Sequence, residues 1–502
     1  MSPTKNKFEQ LCHIFKEVTH LRSVRRLLNW DQETYMPQKG QTNRAEQNAT
    51  LSRLIHKQVA SKKTGQLIEE LFAVVEPKNP DNDMYVCLRQ WRRDFNRQKK
   101  LPTKLVEELS RQAVLAHEAW VKARERSDFS VFLPLFKSLV HLSRQKAKCL
   151  GFSKSPYDAL LDEYEQGATA YELDKLFSRL VPPLKTLTQK VFDKSRGLAK
   201  EFSGPFPISG QKTMAQIAIV KIGFDMTAGR IDTVVHPFST KIGPGDCRIT
   251  TRWNIQDFTE GFFGILHEAG HGIYSQNLPT KWYGTPLGES VSLGVHESQS
   301  RFWENIVGRS RAFWSHFLPI AKGIFPGSLC MLDLDKFVRV INKVEPSYIR
   351  VEADEVTYNL HIYLRFVIEK ELIEGKLQPE DVPDRWNRLF KELLGLEVPK
   401  DSMGCLQDVH WSGGSFGYFP TYTLGNIYAA MIREALTKEI PEIETMISAG
   451  EFQPIFNWLR DKIHIHGQRF SPTDLIRHAT GKKPSSEPLI HYLETKFSQL
   501  FG

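Results

Sequence analysis

The chain has 502 residues, 41% of them hydrophobic and 25% charged, an ordinary globular composition with ample length for a large core. Its formal net charge of +9 is modest for that length and allows at most mild affinity for acidic partners. The six cysteines (Cys12, Cys87, Cys149, Cys247, Cys330 and Cys405) are scattered without a Cys-x-x-Cys pair, which argues against a disulfide framework and for reduced thiols in a cytoplasmic setting.

Residues 1–21 carry no apolar signal core, and no run of about 18 apolar residues occurs, so neither a targeting segment nor a membrane span is expected. No Gly/Ser-rich linker, low-complexity tract or internal repeat divides the chain, so residues 1–502 read as one large unit with two lobes around a groove. Helical periodicity runs over 5–30, 44–62 and 64–75, then a turn over Pro77-Lys78-Asn79-Pro80-Asp81, then helices over 82–99 and 103–126. The first of these last two holds the sharpest basic run, Arg89 to Lys100. Its interleaved aromatics suggest nucleic acid, but Trp91 and Phe95 stand at i,i+4 and fit an inward stripe beneath a solvated basic face, so no nucleic-acid partner is expected. Segments 129–150 and 171–197 continue the pattern, and Pro182-Pro183 should interrupt or kink the latter.

Strand signals are rare. Ile231 to Phe238 and Cys247 to Trp253, around Gly243-Pro244-Gly245, predict a hairpin. Helices resume over 332–343, 347–374, 381–394, 425–437, 441–449, 452–463 and 471–479. The fold class is therefore mainly α with a small β element.

Directly after the predicted hairpin lies Gly264-Ile265-Leu266-His267-Glu268-Ala269-Gly270-His271-Gly272-Ile273-Tyr274. On a helix, His267 and His271 sit one turn apart on one face and can share a metal ion, with Glu268 beside them to take a proton from a water that the metal polarises. Asp257 with Glu260 marks the start of this helix, Pro279 follows its end, and Phe258, Phe262, Ile265, Leu266, Ala269 and Ile273 give it an apolar side. The bland alternative is a packed, hydrogen-bonded histidine pair. A catalytic zinc usually has three protein ligands. The extended pattern ending in a third histidine is absent, because Tyr274 and Asn277 stand at its glycine and histidine positions. Glu289, Glu297 and Glu304 remain as candidates from a following segment, of which 295–305 reads as helical, and spacing alone does not choose among them.

Three further stretches could carry chemistry. In Ile349-Arg350-Val351-Glu352-Ala353-Asp354, read as helical, Arg350 and Asp354 lie one turn apart: either a plain ion pair or an arginine held by Asp354 to grip a carboxylate with two prongs. In Gly404-Cys405-Leu406-Gln407-Asp408-Val409-His410-Trp411 and the residues after it, His410, Tyr418 and Tyr422 are the residue types that stabilise an oxyanion, although a Gly-rich turn packed with aromatics would look the same. Gly413-Gly414-Ser415-Phe416-Gly417 matches the serine-hydrolase elbow, but that elbow needs a preceding strand in an alternating α/β chain, which this is not.

Several of these blocks occur together, and in this order, in one known group. His236-Pro237-Phe238, Asp246-x-Arg248-x-Thr250, His267-Glu268-Ala269-Gly270-His271, His296-Glu297-Ser298-Gln299-Ser300, Ile349-Arg350-x-x-Ala353-Asp354 and Gly404-x-x-Gln407-Asp408-x-His410-Trp411 resemble the motifs of the carboxypeptidase Taq family of metallocarboxypeptidases. Trp30-Asp31-Gln32, Met36-Pro37 and Arg44-Ala45-Glu46-Gln47 add to the likeness, which runs from about residue 20 to the C-terminus. The resemblance implies a helical fold with a deep groove, a homodimer, and a metal-dependent exopeptidase. Such an enzyme releases single residues from the free C-terminus of short peptides, with broad preference and poor activity after proline. It makes Glu297 the third metal ligand, zinc the first expectation with cobalt or manganese as alternatives, and Glu268 the general base. It places Arg350 and Arg248 at the substrate end of the groove, has His236 help close it, and links His410 with Tyr422 or Tyr418 to the oxyanion. Rival readings are an oligopeptide endopeptidase built on the same metal helix, a helical scaffold binding peptide or nucleic acid, and hydrolysis by Ser415.

Overall fold

Capped, amphipathic helical stretches make up most of the computed structural model, which describes residues 3–75, 82–198, 202, 204–234 and 237–502. The turn expected from Pro77 to Asp81 lies outside the described residues, and so does His236. Helices α1 (Pro3–Thr34), α2 (Gln41–Val59), α3 (Lys62–Phe72) and α4 (Asp83–Lys100) enclose an apolar core of their own, built on Phe15, Ile68, Leu71, Trp91 and Phe95. Trp91 and Phe95 turn inward as their spacing requires, and Trp91 stacks on Phe15 at 4.6 Å. The arginines of the same helix are tied down. Arg89 donates to the carbonyls of Gln468 and Arg469, and Arg93 and Arg97 both pair with Asp162 at 2.8 and 2.6 Å.

The chain continues through α5 (Thr103–Arg126), α6 (Leu133–Leu150), α7 (Pro156–Tyr164), α8 (Ala170–Ser195) and α9 (Ile208–Lys221). Of the interruption or kink expected at Pro182 and Pro183, the interruption does not occur: α8 runs unbroken through both. The buried stripe Leu173, Phe177, Leu180, Leu184, Leu187 and Val191 runs across them at helical spacing, and its packing outweighs the roughly 3 kcal/mol that an interior proline costs.

The β element also differs from expectation. It is a three-stranded sheet, β1 (Gly229–Thr233), β2 (Ser239–Gly243) and β3 (Asp246–Thr251), in the order β1-β3-β2. The hairpin at the Gly/Pro turn is β2 with β3, and β1 runs parallel to β3 with Ile231 opposite Ile249. Pro237 has no N–H to offer a ladder, so the predicted strand 231–238 divides there. Side chains of α1 cover the outer edge of β2: Ser23 donates to the Ile242 carbonyl and Arg26 to that of Lys241.

The remaining helices are α10 (Phe258–Asn277), α11 (Leu293–Arg301), α12 (Arg311–Ile324), α13 (Pro326–Leu329), α14 (Leu334–Ile341), α15 (Tyr358–Glu374), α16 (Val382–Leu394), α17 (Pro420–Glu439), α18 (Ile443–Ala449), α19 (Gln453–Lys462), α20 (Pro472–Thr480) and α21 (Glu487–Phe501). They and α5–α9 share one large core. Segment 347–357 is not helical apart from a 3₁₀ turn at Arg350–Glu352, so the predicted helix 347–374 begins only at Tyr358. Pro346 disfavours a helix there, and Asp354 spends its carboxylate on the N–H groups of Val356 and Thr357. All six cysteines are free, and no helix among the described residues is long and apolar enough to cross a membrane.

Candidate metal centre

Asp257 caps α10 by accepting from the Thr259 N–H, while Glu260 turns to Arg252 and Asn254. Phe258, Phe262, Ile265, Leu266, Ala269 and Ile273 are all buried, which fixes the rotation of the helix and sends His267 and His271 to the opposite side. The glycine inside the His-Glu-x-x-His motif sets the next contact. A Cβ on Gly270 would fall 2.5 Å from the Gln299 carbonyl oxygen, so α10 and α11 touch backbone to backbone there. On the far side of α11, a Cβ on Gly425 of α17 would fall 2.4 Å from Cγ of Glu297. Two glycines thus clamp α11 and press Glu297 toward the histidines.

The result is a cluster of three metal-ligand types. Potential donor atoms of His267, His271 and Glu297 all lie within 4.8 Å of one another. Oε2 of Glu297 is 3.4 Å from His271 Nε2 and 3.7 Å from His267 Nε2. The edge of a tetrahedron with bonds of about 2.1 Å is about 3.4 Å, so these separations fit a tetrahedral divalent ion. The sequence left Glu289, Glu297 and Glu304 open as third ligands. Glu289 instead faces Arg26 at 3.9 Å, and Glu304 serves the cluster from behind.

That second layer was not foreseen. Beyond α11 the chain makes a π-helical turn, Phe302–Val307, which brings Glu304 Oε2 within 2.8 Å of His267 Nδ1 and leaves Nε2 facing the cluster. His271 is oriented by an imidazole instead: its Nδ1 lies 2.6 Å from Nδ1 of His296. Arg301 donates to Oε1 of Glu297 at 2.7 Å, while Oε2, with a longer contact to the Ser300 hydroxyl at 3.3 Å, faces the histidines. Burial alone would raise the Glu297 carboxyl, yet Arg301, His267 and His271 hold it well below the usual range. Glu268 is buried among the same charges, and burial wins there: its carboxyl is raised, with His267 and His271 opposing.

The loop before α17 supplies the other half of the site. His410 Nε2 and the Tyr422 hydroxyl are 3.1 Å apart, and the Tyr418 ring stands 5.0 Å from the His410 ring and 5.4 Å from that of Tyr422. Tyr422 precedes Gly425 by one helical turn, so it shares the face that abuts Glu297. Burial, opposed by Asp408 and reinforced by Arg350 and Arg365, brings His410 down to about 4, so its imidazole is neutral near pH 7. Burial lifts the Tyr418 phenol to about 12 and raises that of Tyr422 as well, so both keep their protons as donors.

Arg350 is not paired with Asp354. Its Nε and Nη2 donate to Oδ1 of Asp408 at 3.0 and 2.8 Å, its Nη1 donates to the Tyr358 hydroxyl at 2.9 Å, and Arg365 Nε donates to the other Asp408 oxygen at 2.6 Å. Arg248 forms a two-pronged pair with Asp246 and lies 4.2 Å over the Trp30 ring. Ser415 sits in a loop after the 3₁₀ turn His410–Gly413 and lacks the preceding strand that the elbow would need.

The whole chain matches known proteins in the same terms. The family model for the carboxypeptidase Taq (M32) metallopeptidase covers residues 10–497. The chain belongs to that family. It is 43% identical over 507 residues to thermostable carboxypeptidase 1 of Thermus thermophilus, across 99% of both chains. It is 38% identical to carboxypeptidase 1 of Bacillus subtilis, across 97% of both. Among solved structures, an M32 carboxypeptidase from Deinococcus radiodurans superposes with a TM-score of 0.95 at 35% identity over 99% of this chain and 100% of that one. Metallocarboxypeptidase 1 of Trypanosoma cruzi gives 0.94 at 36% identity over 98% and 99%. The chain is therefore a peptide hydrolase of the metallocarboxypeptidase class.

Proposed function

We propose that this enzyme releases single residues from the free C-terminus of short peptides, with broad preference and poor activity after proline, and that it works as a cytoplasmic homodimer whose 502 residues form one catalytic unit. The reading is carried by the convergence of the His267, His271 and Glu297 cluster with the buried Glu268 and the His410–Tyr422 pair. A divalent ion held by His267, His271 and Glu297, zinc first with cobalt or manganese as alternatives, supplies Lewis acidity for the scissile carbonyl and the attacking water. Glu268 takes the proton of that water and passes it to the leaving amine, and its raised pKa suits both halves of the transfer. Neutral His410 and the protonated phenol of Tyr422, with Tyr418 beside it, donate hydrogen bonds to the developing oxyanion.

Charge supports a carboxylate clamp at Arg350. Two arginines, Arg350 and Arg365, share the single carboxylate of Asp408, so the cluster carries one uncompensated positive charge in a buried place. A terminal carboxylate would balance it, and free guanidinium N–H groups of Arg350 would orient the substrate. Arg248, already neutralised by Asp246, is assigned to the wall at the substrate end of the groove, and His236 to its closure. The engagement of Arg89, Arg93 and Arg97 in internal contacts favours a chain without a nucleic-acid partner.

The test compares one short peptide with its C-terminal amide, with and without a chelator, by mass spectrometry. Stepwise loss of single residues from the free acid alone, abolished by chelator and restored by metal, is expected. Equal internal cleavage of both peptides would make the enzyme an endopeptidase and remove the clamp from Arg350.

A further inference from the structure

Helix α7 takes no part in the chemistry above, yet three regions converge on it. Ser155 caps it, accepting from the Tyr157 N–H while Asp158 answers the Ser155 N–H, and Glu165 follows its last turn. Glu165 is buried and reaches the start of α11: its Oε2 accepts the Gly294 N–H at 2.9 Å, and its Oε1 accepts the Tyr428 hydroxyl at 3.0 Å. Gly294 precedes the metal ligand Glu297 by one turn of the same helix. At the other end of α7, the Tyr157 hydroxyl donates to Glu369 of α15 at 2.6 Å. Glu369 is fully buried. It also accepts the Trp411 indole N–H and the Gly417 N–H, each at 2.9 Å, and so pins the residue after His410 and the residue before Tyr418. Gly417 lies directly on α7, where a Cβ would be 2.9 Å from the backbone of Leu160 and Leu161, and the rings of Tyr164 and Tyr418 meet at 5.2 Å. On its outer side Asp162 of α7 holds Arg93 and Arg97 of α4.

We propose that α7 is the spacer that sets the distance between the metal-ligand helix and the oxyanion loop, with Glu165 and Glu369 as its two positioning residues. Resting on the function proposed above, this inference assigns the two acids separable effects. Glu165 acts through α11 on the seat of the metal, and Glu369 acts through the 410–418 loop on His410 and the tyrosines. Each carboxylate faces only N–H and O–H donors. Glutamine at 369 must turn its NH₂ toward the Trp411 or the Gly417 N–H and lose that contact without a change of volume, whereas at 165 it would keep Gly294 and donate to the Tyr428 hydroxyl, so methionine, which removes both acceptor oxygens at similar length, is the variant there.

The experiment measures zinc affinity by competition with a chromophoric chelator, and separately kcat and KM of the zinc-saturated enzyme on a short free-acid peptide. Glu165→Met is expected to weaken zinc binding by about 10-fold while kcat at saturating zinc stays within about threefold, the scale of a lost outer-layer contact. Glu369→Gln is expected to leave zinc affinity within about threefold and to lower kcat by about 10-fold or more, with KM little changed. Tyr428→Phe and Tyr157→Phe should give the same two signatures in weaker form, and they decide the matter where a variant at 165 or 369 does not fold. Variants that shift both parameters together in step with their loss of melting temperature, or neither parameter, would overturn the spacer. A wild type that binds zinc but cleaves no peptide would instead overturn the proposed function, and the zinc arm of Glu165→Met would still report on α7.

Discussion

Replacing Gly425 by alanine tests directly the seating of Glu297, the proposed third ligand. The new Cβ would lie 2.4 Å from Cγ, 2.6 Å from Cβ and 3.1 Å from the backbone carbon of Glu297. Carbon atoms rest at about 3.5–4.0 Å, so about 1 Å of displacement is needed, and it falls on the root of the side chain, where no rotamer change escapes it. Metal–ligand bonds tolerate only about 0.2 Å, so Glu297 would leave the position that puts Oε2 3.4 Å from His271 Nε2. Zinc affinity should fall by at least about 100-fold, close to 3 kcal/mol. The fold should suffer far less. Alanine gains about 1 kcal/mol of helix propensity over glycine, against about 1–3 kcal/mol of overpacking. Chelator competition would give the zinc affinity, and thermal melts of the metal-free protein would give stability. A Gly425→Ala protein that binds zinc within about threefold of wild type would refute the argument that close approach of α17 seats Glu297.

Three further outcomes follow from the same geometry. Glu268→Gln should bind zinc as wild type does while kcat drops by about 10²-fold or more, the scale of a lost general base, and near-normal turnover would remove that role. Asp408→Asn leaves Arg350 and Arg365 buried without their counter-charge and should cost about 3–5 kcal/mol in urea unfolding; a loss under about 1 kcal/mol would show that the arginines relax into water. The folded-state pKa of His410 is lowered from 6.5 to about 4, so its stabilising effect is fully present above pH 6.5 and lost as pH falls toward 4, a change of about 3 kcal/mol. Wild type should therefore lose about that much more stability than His410→Gln between pH 7 and pH 4 in paired denaturant melts, and equal losses would contradict the neutral assignment.

What could be read ahead of the structure was what the chain encodes locally. His267, Glu268 and His271 need only one helical turn to meet, and the apolar spacing of α10 guaranteed that turn. Glu297 could not be told from Glu289 or Glu304 by spacing, because the choice depends on a π-helical turn and on two glycine contacts from α10 and α17. The pairing of Arg350 with Asp354 failed because segment 347–357 is not helical, and Pro346 was the signal against it. The true partner, Asp408, lies 58 residues away, a distance that no periodicity covers. The hairpin turn was placed well but the strand partner was not, since Pro237 splits the run that looked continuous. Helix α7 was passed over although Ser155-Pro156-x-Asp158 is a start signal, and Glu165 and Glu369 gave no local sign of their role.

The separate core of α1–α4 has a consequence for how this enzyme comes apart. From the rest of the chain its apolar cluster takes in Leu287, with Trp282 packed against it, while the ties to the main body include ionic and carbonyl contacts: Arg93 and Arg97 on Asp162, Arg89 on two backbone oxygens, and Arg26 on the edge of β2. Contacts of that kind weaken as salt rises, whereas the two cores do not. Rising ionic strength is therefore expected to weaken the ionic part of the seam before it affects either core. Helices α1–α4 are therefore expected to open before the packing of α10 is disturbed.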